Sequence, residues 1–273
     1  MKTALTPRQI EDYRREGWLI IEDFLAAAEL EEMGAAVEAG VARMGRRKLA
    51  GAGSREIVDG KNPYYDRVFL QRVNLWRVND TIKRYFLSPG LGEMLCALAG
   101  IDGIRVWHDQ TLQKQPWGHP TSWHLDVPRW SFHSPDAISI WIALDDSTVQ
   151  NGCMYYLPGS HKMAGYDRKG DFGPNMGALF DEYPEFSTIE PVAAVMKAGS
   201  AGFHNGLMAH AAGPNMTPRP RRAMTCAYMP DGATFNGIQN ILSDEHMARL
   251  EVGDVLDDPD QTPLAWSRKE AVR

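Results

Sequence analysis

The sequence SWHLD, residues 122–126, places a histidine and an aspartate one residue apart within a short apolar run. Alternate side chains of a β-strand project to the same face, so His124 and Asp126 are predicted to point the same way, roughly 6.5–7 Å apart. An imidazole and a carboxylate at that distance can take neighbouring positions on one metal ion. A third candidate ligand, His210, ends the sequence FHNGLMAH at 203–210.

Two histidines and one carboxylate can hold one face of an octahedral metal and leave the other face open, which is typical of non-haem Fe(II) oxygenases. An organic co-substrate and the oxidant can then both reach the metal. A His-x-Asp pair alone is weak support, because a lone strand histidine is more often a core residue. The prediction therefore depends on His210 and on the segment after it. No metal role is expected for His108, His119, His133 or His246.

Three arginines, Arg219, Arg221 and Arg222, lie between His210 and an apolar run at 223–228. An arginine that enters the sheet beside a metal needs an anionic partner, because burying an unpaired guanidinium is costly. A dicarboxylate bound to the metal would supply one, and a guanidinium contacts a carboxylate at two points. The alternative is that all three are surface charges of a turn. We expect this for Arg219, and it is open for Arg222.

The composition predicts a folded protein that acts on small molecules. The chain has 273 residues, of which 44% are hydrophobic, enough for a sizeable core. A net charge of −6 without long basic runs argues against a nucleic-acid or anionic-membrane partner. No apolar segment approaches the roughly 20 residues of a membrane span, and the first residues do not resemble a signal peptide. Cys96, Cys153 and Cys226 are predicted to be buried thiols, so we expect a cytoplasmic protein.

The first hundred residues are predicted to be mostly helical. TPRQ at 6–9 is typical of a capped helix start, Gly17 ends that helix, and 18–21 is predicted to be a strand at a sheet edge. Residues 46–63 are predicted to be a mobile loop that can act as a lid, and 69–76 a strand. Two further helices, the second ended by Gly100, carry apolar stripes at Leu30, Met33, Val37, Val41 and Met44, and at Leu91, Met94, Leu95 and Leu98.

From residue 104 onward, short apolar runs alternate with proline and glycine. Regularly spaced short strands with turn signals indicate a sandwich or barrel. Beyond them, 236–273 is predicted to be a tail lying on the domain, with Trp266 as an anchor. The predicted strands are 104–112, 121–125, 137–144, 152–157, 191–196, 202–203, 208–211 and 223–228.

The combined motifs resemble the phytanoyl-CoA dioxygenase (PhyH) family of Fe(II)/2-oxoglutarate-dependent oxygenases. The resemblance covers most of the chain, and it includes the opening segment at 5–21. The residues that carry it are WHLD at 123–126, Trp141 with Leu144, NGCM at 151–154, LPGSH at 157–161, Phe203-His204, and His210 with Gly213, Asn215, Arg221, Arg222 and Ala223.

The resemblance implies a mainly β fold with flanking helices, the double-stranded β-helix, a jelly-roll or cupin-like barrel. A single dioxygenase domain would span residues 1–273. Its N-terminal helices, within 1–100, would pack on a β-helix core at 101–235, and the tail would be 236–273.

The resemblance also implies the roles of individual residues. His124, Asp126 and His210 would hold Fe(II), and Arg221 would bind the far carboxylate of the co-substrate 2-oxoglutarate. Trp141 would lie beside 2-oxoglutarate. Gln110 is the expected neighbour on the strand before the ligand pair, with Thr111 and Gln113, of opposite parity, as the alternative. The family often has Ser two residues after the distal histidine, where this chain has Ala212, so one hydrogen bond of about 0.5–1.5 kcal/mol is lost.

The implied activity is hydroxylation of an unactivated C–H bond in a small-molecule metabolite, with consumption of O2 and release of succinate and CO2. Desaturation or cyclisation by the same oxidant is an alternative. Asp126 argues against a halogenase, which lacks this carboxylate. Two rivals are a non-catalytic cupin-like binding protein and a zinc hydrolase, which would need a nearby acidic base. No catalytic residue beyond the metal ligands is expected, and the protein would be a monomer or homodimer.

The substrate pocket is predicted to lie beside the ligand pair and the strand at 69–76. Arg129 or Arg72 could hold an anionic group of the substrate. Trp130 and Phe132 are either pocket or core residues, and His161 and His204 are either packed in the core or contacts of the metal ligands. The predicted lining residues are Gln71, Asn74, Val127, Arg129, Trp130 and Phe132.

Overall fold

The computed structural model describes residues 1–51 and 57–271, and over these ranges it is built from two antiparallel β-sheets and a set of helices. The strands are β1 Trp18–Ile21, β2 Leu70–Val73, β3 Gly103–Gln113, β4 Thr121–His124, β5 Ile138–Ala143, β6 Met154–Tyr156, β7 Val192–Ala194, β8 Ala201–Asn205, β9 His210–Ala212, β10 Ala223–Pro230 and β11 Leu264–Ser267. In the major sheet the strand order is β1-β8-β5-β10-β3-β11, and β2 also pairs with β3. In the minor sheet the order is β4-β9-β6-β7.

This arrangement confirms the predicted fold class, a mainly β jelly-roll with flanking helices. Every strand predicted after residue 104 is present, within a few residues of its predicted ends. The helices are α1 Pro7–Glu16, α2 Ala27–Met44, α3 Asp80–Phe86, α4 Pro89–Ala99, α5 Ala178–Glu182, α6 Asp244–Met247 and α7 Arg268–Ala271, and short 3₁₀ turns occur at Tyr65–Arg67, Leu75–Arg77, Val127–Arg129, Ser160–Lys162 and Pro184–Thr188.

The start of the chain folds as its sequence predicts. The Thr6 hydroxyl accepts a hydrogen bond from the Gln9 amide at 3.3 Å, and the Gln9 side chain accepts one from the Thr6 amide at 2.8 Å. Gly17 ends α1 with a φ of 81°, a conformation that costs little only for glycine. The chain then enters β1, which lies at the edge of the major sheet.

The major sheet separates a helix-side core from a cavity. Along β5, Ile138, Ile140 and Ile142 pack into the same core cluster as the buried faces of α2 and α4. The intervening residues Ser139 and Trp141 line the cavity on the other face. This alternation follows from the two-residue period of a strand, and it puts the functional side chains on the side away from the helices.

A β-bulge in β3 changes which residues reach the cavity. Ala227 of β10 pairs with His108, but the next residue, Tyr228, pairs with Val106, so Trp107 is the extra residue. The extra residue shifts the alternation of side chains between the two faces of β3. Val106 therefore packs into the helix-side core, whereas His108, Gln110 and Leu112 line the cavity.

Three parts of the fold differ from the sequence prediction. The strand predicted at 69–76 is only Leu70–Val73, because Asn74 adopts a left-handed conformation with a φ of 61° and begins a 3₁₀ turn. The helix Asp80–Phe86, capped by the Asn79 side chain, was not predicted. Within the predicted tail, Leu264–Ser267 is a strand that pairs with β3, and Trp266 packs against the helix-side core.

Part of the predicted lid at 46–63 falls on residues 52–56, which lie outside the described residues. On either side of them, Arg47 and Val58 pair, and the amide of Lys48 donates to the carbonyl of Ile57 at 2.7 Å. Leu49 forms a parallel bridge to Val73. None of the described residues of 46–63 lines the cavity, and lid function stays a prediction.

Two further sequence predictions concern the membrane and the cysteines. Across 1–51 and 57–271, the structure contains no helix with the length and apolar character needed to cross a bilayer. Cys96, Cys153 and Cys226 are buried and form no disulfide, as predicted.

Candidate metal centre

His124, Asp126 and His210 converge at one end of the cavity, with one ligand atom from each lying within 4.8 Å of the others. The Nε2 atom of His124 is 3.7 Å from Asp126 Oδ1, and that of His210 is 3.9 Å from Asp126 Oδ2. The two histidines are direct partners across the antiparallel pair β4–β9, which explains their proximity. The group has the donor set and spacing required to hold a metal ion.

The prediction that Asp126 lies in the same strand as His124 is wrong. Strand β4 ends at His124, and Asp126 has helical backbone angles, φ −84° and ψ −58°, at the start of a 3₁₀ turn. The amides of Asp126 and Val127 both donate to the carbonyl of Gly206, at 3.2 and 3.0 Å. This turn, and not strand alternation, therefore brings the carboxylate to the side of the two imidazoles.

Backbone carbonyls orient both imidazoles. His124 Nδ1 is hydrogen-bonded to the carbonyl of Ser122 at 2.8 Å, and His210 Nδ1 to that of Met208 at 2.9 Å. A carbonyl only accepts, so each Nδ1 carries the proton and each Nε2 offers its lone pair to the centre. Burial lowers the pKa of His124 to about 4 and that of His210 to about 3, which keeps both rings neutral.

Asp126 remains ionised in this setting. Burial by itself would raise the pKa of its carboxyl group, but the adjacent imidazoles, above all His210, hold the pKa well below its usual range. Two neutral imidazoles and one carboxylate are the protonation states in which these side chains bind a divalent metal.

His204 is a fourth histidine at this site, and it contacts a predicted ligand. Its Nε2 lies 3.6 Å from Asp126 Oδ2, and its Nδ1 is 3.2 Å from the hydroxyl of Tyr156. If the tyrosine donates to Nδ1, the proton of the ring is on Nε2 and points at the carboxylate. His204 therefore lies beside Asp126 with a buried Nε2 that has no hydrogen-bond partner in the described structure, whereas His161 lies away from the centre, against Gly17.

The cavity beside the three ligands has a volume of about 230 Å³ and is lined by both sheets. Of the described residues that line it, only Asp126 carries a carboxylate, so the acidic base that a zinc hydrolase needs is not provided there. The lining residues outside the ligands include Tyr65, Phe69, Gln71, Val73, His108, Gln110, Leu112, Thr121, Arg129, Trp130, Ser139, Trp141, Phe172, Ala212, Thr225, Asn240 and Ile241.

Arg221 is completely buried two residues before β10, and none of its three guanidinium nitrogens has a hydrogen-bond partner within the described structure. Its Cζ atom lies 5.0 Å from the ring centre of Trp141, a cavity residue. Burial lowers the pKa of Arg221 to about 10. Such an orphaned guanidinium fits a carboxylate supplied by a ligand.

The next residue, Arg222, is oriented differently. Its side chain donates two hydrogen bonds to Asp145, at 3.0 and 2.8 Å, and also pairs with Glu38. Arg219 is exposed. Of the three arginines, only Arg221 is therefore in a position to serve a ligand.

The predicted co-substrate neighbours Gln110 and Trp141 both line the cavity. Gln110 accepts a hydrogen bond from Gln71, its neighbour on β2, at 2.5 Å. Thr111, the alternative, faces the opposite side of β3, where its hydroxyl donates to the carbonyl of Ala223 at 3.0 Å.

Of the predicted substrate residues, Gln71, Arg129 and Trp130 line the cavity. Arg129 stacks on Phe172, with its Cζ atom 4.1 Å from the ring centre. It also donates to the carbonyl of Gly170. Within the described residues no carboxylate forms an ion pair with Arg129.

Four other residues predicted for the pocket do not line the cavity, and for Phe132 this is the core position given as the alternative. Phe132 is fully buried and packs edge-on against Trp107, with ring centres 5.3 Å apart, and Val127 is likewise buried in the core. Asn74 is buried in the turn after β2. Arg72 is bound to Asp59, at 2.6 and 3.1 Å, and is not available to a substrate.

Several cavity residues were missed by the sequence analysis. His108 reaches the cavity because of the bulge at Trp107, and no local pattern indicates that bulge. Phe172 comes from the loop between β6 and β7, and it packs edge-on against His124 at 4.6 Å. Asn240 and Ile241 come from the segment predicted to be a tail. Their contribution depends on long-range chain packing.

The sequence of this chain is similar to a family of known proteins. The sequence profile of Phytanoyl-CoA dioxygenase (PhyH) matches residues 13–223. A dioxygenase of Epichloe uncinata, lolE1, is 35% identical over 135 residues, which cover 50% of this chain and 49% of that protein. The peroxisomal phytanoyl-CoA dioxygenase of Rattus norvegicus is 25% identical over 260 residues, 90% of this chain and 74% of that protein.

Solved structures show the same fold with similar chain length. SnoK, a non-heme alpha ketoglutarate dependent carbocyclase from nogalamycin biosynthesis, has a TM-score of 0.76 and 27% identity, over 95% of this chain and 96% of that chain. The epimerase SnoN, solved in complex with Fe3+, alpha ketoglutarate and nogalamycin RO, has a TM-score of 0.75 and 26% identity, over 94% and 97%. With the profile match spanning most of its length, the chain belongs to the phytanoyl-CoA dioxygenase (PhyH) family.

Proposed function

We propose that this protein is an Fe(II)- and 2-oxoglutarate-dependent oxygenase that hydroxylates an unactivated C–H bond of a small-molecule metabolite and releases succinate and CO2. The observation that carries the proposal is the pairing of two features at one cavity. Three ligand atoms lie within 4.8 Å of one another, and a fully buried guanidinium without a partner in the described structure lies 5.0 Å from the ring centre of Trp141, which lines the cavity. A metal-binding protein without a co-substrate has no use for the second feature.

The iron would be held by His124, Asp126 and His210. Iron and 2-oxoglutarate together supply the activation of O2, the chemistry that no side chain can perform. The protein binds and orients the reactants: backbone carbonyls fix both imidazoles, and His204, whose Nε2 lies 3.6 Å from the carboxylate of Asp126, would limit the movement of that side chain. Aromatic side chains around the ligands, such as Phe172, exclude water.

The far carboxylate of 2-oxoglutarate would bind Arg221, with Trp141 and Gln110 forming the wall of the co-substrate site. A carboxylate satisfies the guanidinium nitrogens through two parallel hydrogen bonds, which a lysine could not provide in the same way. Matched variants test this role. Arg221→Met is expected to raise the concentration of 2-oxoglutarate needed for half-saturation by at least about 100-fold, and Arg222→Met to leave it within about twofold.

The substrate would carry an anionic group that binds Arg129. This guanidinium faces the cavity without an ion pair in the described residues, whereas Arg72 is already paired with Asp59. Gln71 offers an amide to polar parts of the same molecule, and Trp130 an apolar surface. The cavity volume of about 230 Å³ suits a small metabolite, or part of a larger one.

A second candidate reaction is cyclisation or desaturation by the same oxidant. The similarity to a carbocyclase at 27% identity over 95% of this chain favours it. Both reactions use the same ligands and co-substrate, so product analysis distinguishes them. A hydroxylated product gains one oxygen atom, whereas a cyclised or desaturated product loses two hydrogens.

The cellular setting is proposed from the composition. The net charge of −6 argues against nucleic acid, and the buried, unpaired cysteines suit the reducing cytoplasm. We expect the protein to act there on small molecules, as a monomer or homodimer.

The deciding experiment is an anaerobic titration of the Fe(II)-loaded protein with 2-oxoglutarate, followed by the weak visible charge-transfer absorption of the iron–keto-acid chelate. The wild type is expected to develop the band, and Asp126→Ala to lose it together with turnover. A cupin-like binding protein or a zinc hydrolase would give no band, and that result would refute the proposal. Succinate release across a panel of anionic metabolites then identifies the substrate.

A further inference from the structure

A second buried cation, Lys114, lies directly beside Arg221. The two residues pair across antiparallel backbone, and each amide donates to the other's carbonyl at 2.9 Å. Residues paired in this way project their side chains to the same face, with Cβ atoms roughly 5 Å apart. Lys114 is completely buried, like Arg221.

The charge of this pair is not balanced by the described protein. The Lys114 ammonium donates to the carbonyl of His119 at 2.7 Å and lies 4.7 Å from the ring centre of Phe69, but it has no ion pair in the described residues. Burial, and then the charge of Arg221, lower the pKa of Lys114 to about 6. By contrast the buried Lys48 is paired with Asp66. Without an anion the pair therefore avoids a double charge by deprotonation of Lys114, and a bound anion would favour the ammonium form, so the two side chains are suited to an anionic ligand.

An unpaired hydroxyl faces the same region from β4. Thr121 lines the cavity, and its Oγ1 is buried without a hydrogen-bond partner in the described structure. It is the direct cross-strand partner of Ala212 on β9. It also follows His119, the carbonyl acceptor of Lys114, by two residues in the chain. A Cβ on Gly152 would lie 2.7 Å from Lys114 Cδ and 2.5 Å from the carbonyl of Gly213, the residue after Ala212, so the Lys114 side chain runs close to the partner strand of Thr121.

We propose that Lys114 and Thr121 complete, with Arg221, the binding site for the far carboxylate of 2-oxoglutarate, and this rests on the function proposed above. The two carboxylate oxygens accept up to four hydrogen bonds, two from the guanidinium and one each from the ammonium and the hydroxyl. The anion converts a repulsive cation pair into an attractive triad. Thr121 supplies from β4 the hydroxyl that Ala212 cannot supply from β9.

The same geometry makes the site selective for a diacid. A keto acid without the far carboxylate, such as 2-oxobutyrate, keeps the metal-binding end but leaves Lys114 and Arg221 uncompensated. Comparing the two keto acids therefore separates a direct contact with the far carboxylate from a general structural effect.

The test measures anaerobic binding of 2-oxoglutarate and of 2-oxobutyrate to the Fe(II)-loaded protein, by the visible charge-transfer band. Lys114→Met is expected to raise the Kd of 2-oxoglutarate about 10- to 100-fold, the loss of a charge-assisted hydrogen bond. Thr121→Val is expected to raise it about 5-fold. Both variants should change the Kd of 2-oxobutyrate less than twofold.

The controls are a buried lysine and a buried threonine that already have partners in the protein. Lys48→Met removes the partner of Asp66, and Thr111→Val removes the donor to the carbonyl of Ala223. Both are expected to leave the Kd of 2-oxoglutarate within twofold. If Lys114→Met does not fold, Lys114→Gln, which keeps a donor but no charge, is expected to raise the Kd by a smaller factor that is again absent for 2-oxobutyrate.

Three results would overturn the inference: no change in the Kd of 2-oxoglutarate in the Lys114 variants, no change in Thr121→Val, or equal changes for both keto acids. These results can be distinguished from results that would contradict the proposed function. If wild type binds 2-oxoglutarate and Arg221→Met weakens it while Lys114→Met does not, only the present inference is wrong. If wild type gives no band, or Arg221→Met binds normally, the proposed function or its carboxylate site is wrong.

Discussion

Replacing Arg221 by methionine is expected to stabilise the protein when 2-oxoglutarate is absent. Arg221 is fully buried, and no described residue accepts a hydrogen bond from its guanidinium. Its charge therefore costs free energy in the folded state that the unfolded chain, solvated by water, does not pay. Methionine has a similar length and can fill most of the same space without a charge.

The magnitude follows from the electrostatic setting. Burial lowers the pKa of Arg221 to about 10, which corresponds to roughly 3 kcal/mol against the charged form. Replacing buried charges by apolar residues of similar volume has stabilised proteins by about 1–4 kcal/mol. We therefore expect Arg221→Met to raise the free energy of unfolding by about 2–3 kcal/mol, or the Tm by about 4–5 °C.

The assay is urea or thermal unfolding with and without the Fe(II) and 2-oxoglutarate pair, under anaerobic conditions. Addition of 2-oxoglutarate should stabilise the wild type through linkage and have little effect on Arg221→Met. Arg222→Met is the matched control. It loses two hydrogen bonds to Asp145 and is expected to lower stability by about 1–3 kcal/mol. An Arg221→Met protein that is less stable than wild type without 2-oxoglutarate would refute the reasoning, because the guanidinium would then have a partner.

Three further predictions follow from single contacts. His204→Leu is expected to weaken Fe(II) binding about 10- to 100-fold in a metal titration, because Asp126 loses the polar side chain that lies 3.6 Å from its carboxylate, whereas His161→Leu should not. Equal effects of the two substitutions would contradict this role of His204. Burial raises the pKa of Asp109 to about 7, so the contribution of this carboxyl group to stability is full below about pH 4 and is lost as the pH rises through 7. The difference in unfolding free energy between wild type and Asp109→Asn should therefore fall across that pH range. A difference that does not change with pH would show that the carboxyl group is solvated. Gly17→Ala should lower the free energy of unfolding by at least about 2 kcal/mol more than Gly159→Ala. Both glycines have a φ near 80°, but a Cβ at Gly17 would lie 2.3 Å from His161 Nδ1, whereas a Cβ at Gly159 would meet no atom within 4 Å. Similar losses of stability in urea unfolding would mean that His161 moves freely.

The sequence predicted the residues of the metal centre but not the geometry that joins them. The pattern at 122–126 and the distant His210 were enough to select the three candidates, because their side-chain chemistry is local information. Their contact depends on the pairing of His124 with His210 across β4 and β9, and on the turn that places Asp126. Both are products of tertiary structure.

The cavity shows the same division. Periodicity predicted the strands after residue 104, since burial of alternate residues leaves a two-residue pattern in the sequence. It could not show that the bulge at Trp107 turns Gln110 and His108 toward the cavity and Thr111 away from it. An extra residue in one strand is defined by its partner strand, and the partner, β10, lies more than one hundred positions later in the chain.

What the sequence determined by itself is the chemistry available: two imidazoles, a carboxylate and a run of arginines, carried on short strands of the predicted jelly roll. The tertiary structure decided which of them act together. Of adjacent Arg221 and Arg222, one is buried without a partner in the described part of the chain and the other is paired with Asp145, because the two side chains leave opposite sides of the backbone just before β10. The cation next to Arg221 is likewise Lys114, distant in sequence but adjacent across the sheet, because only backbone pairing between remote strands brings such residues together.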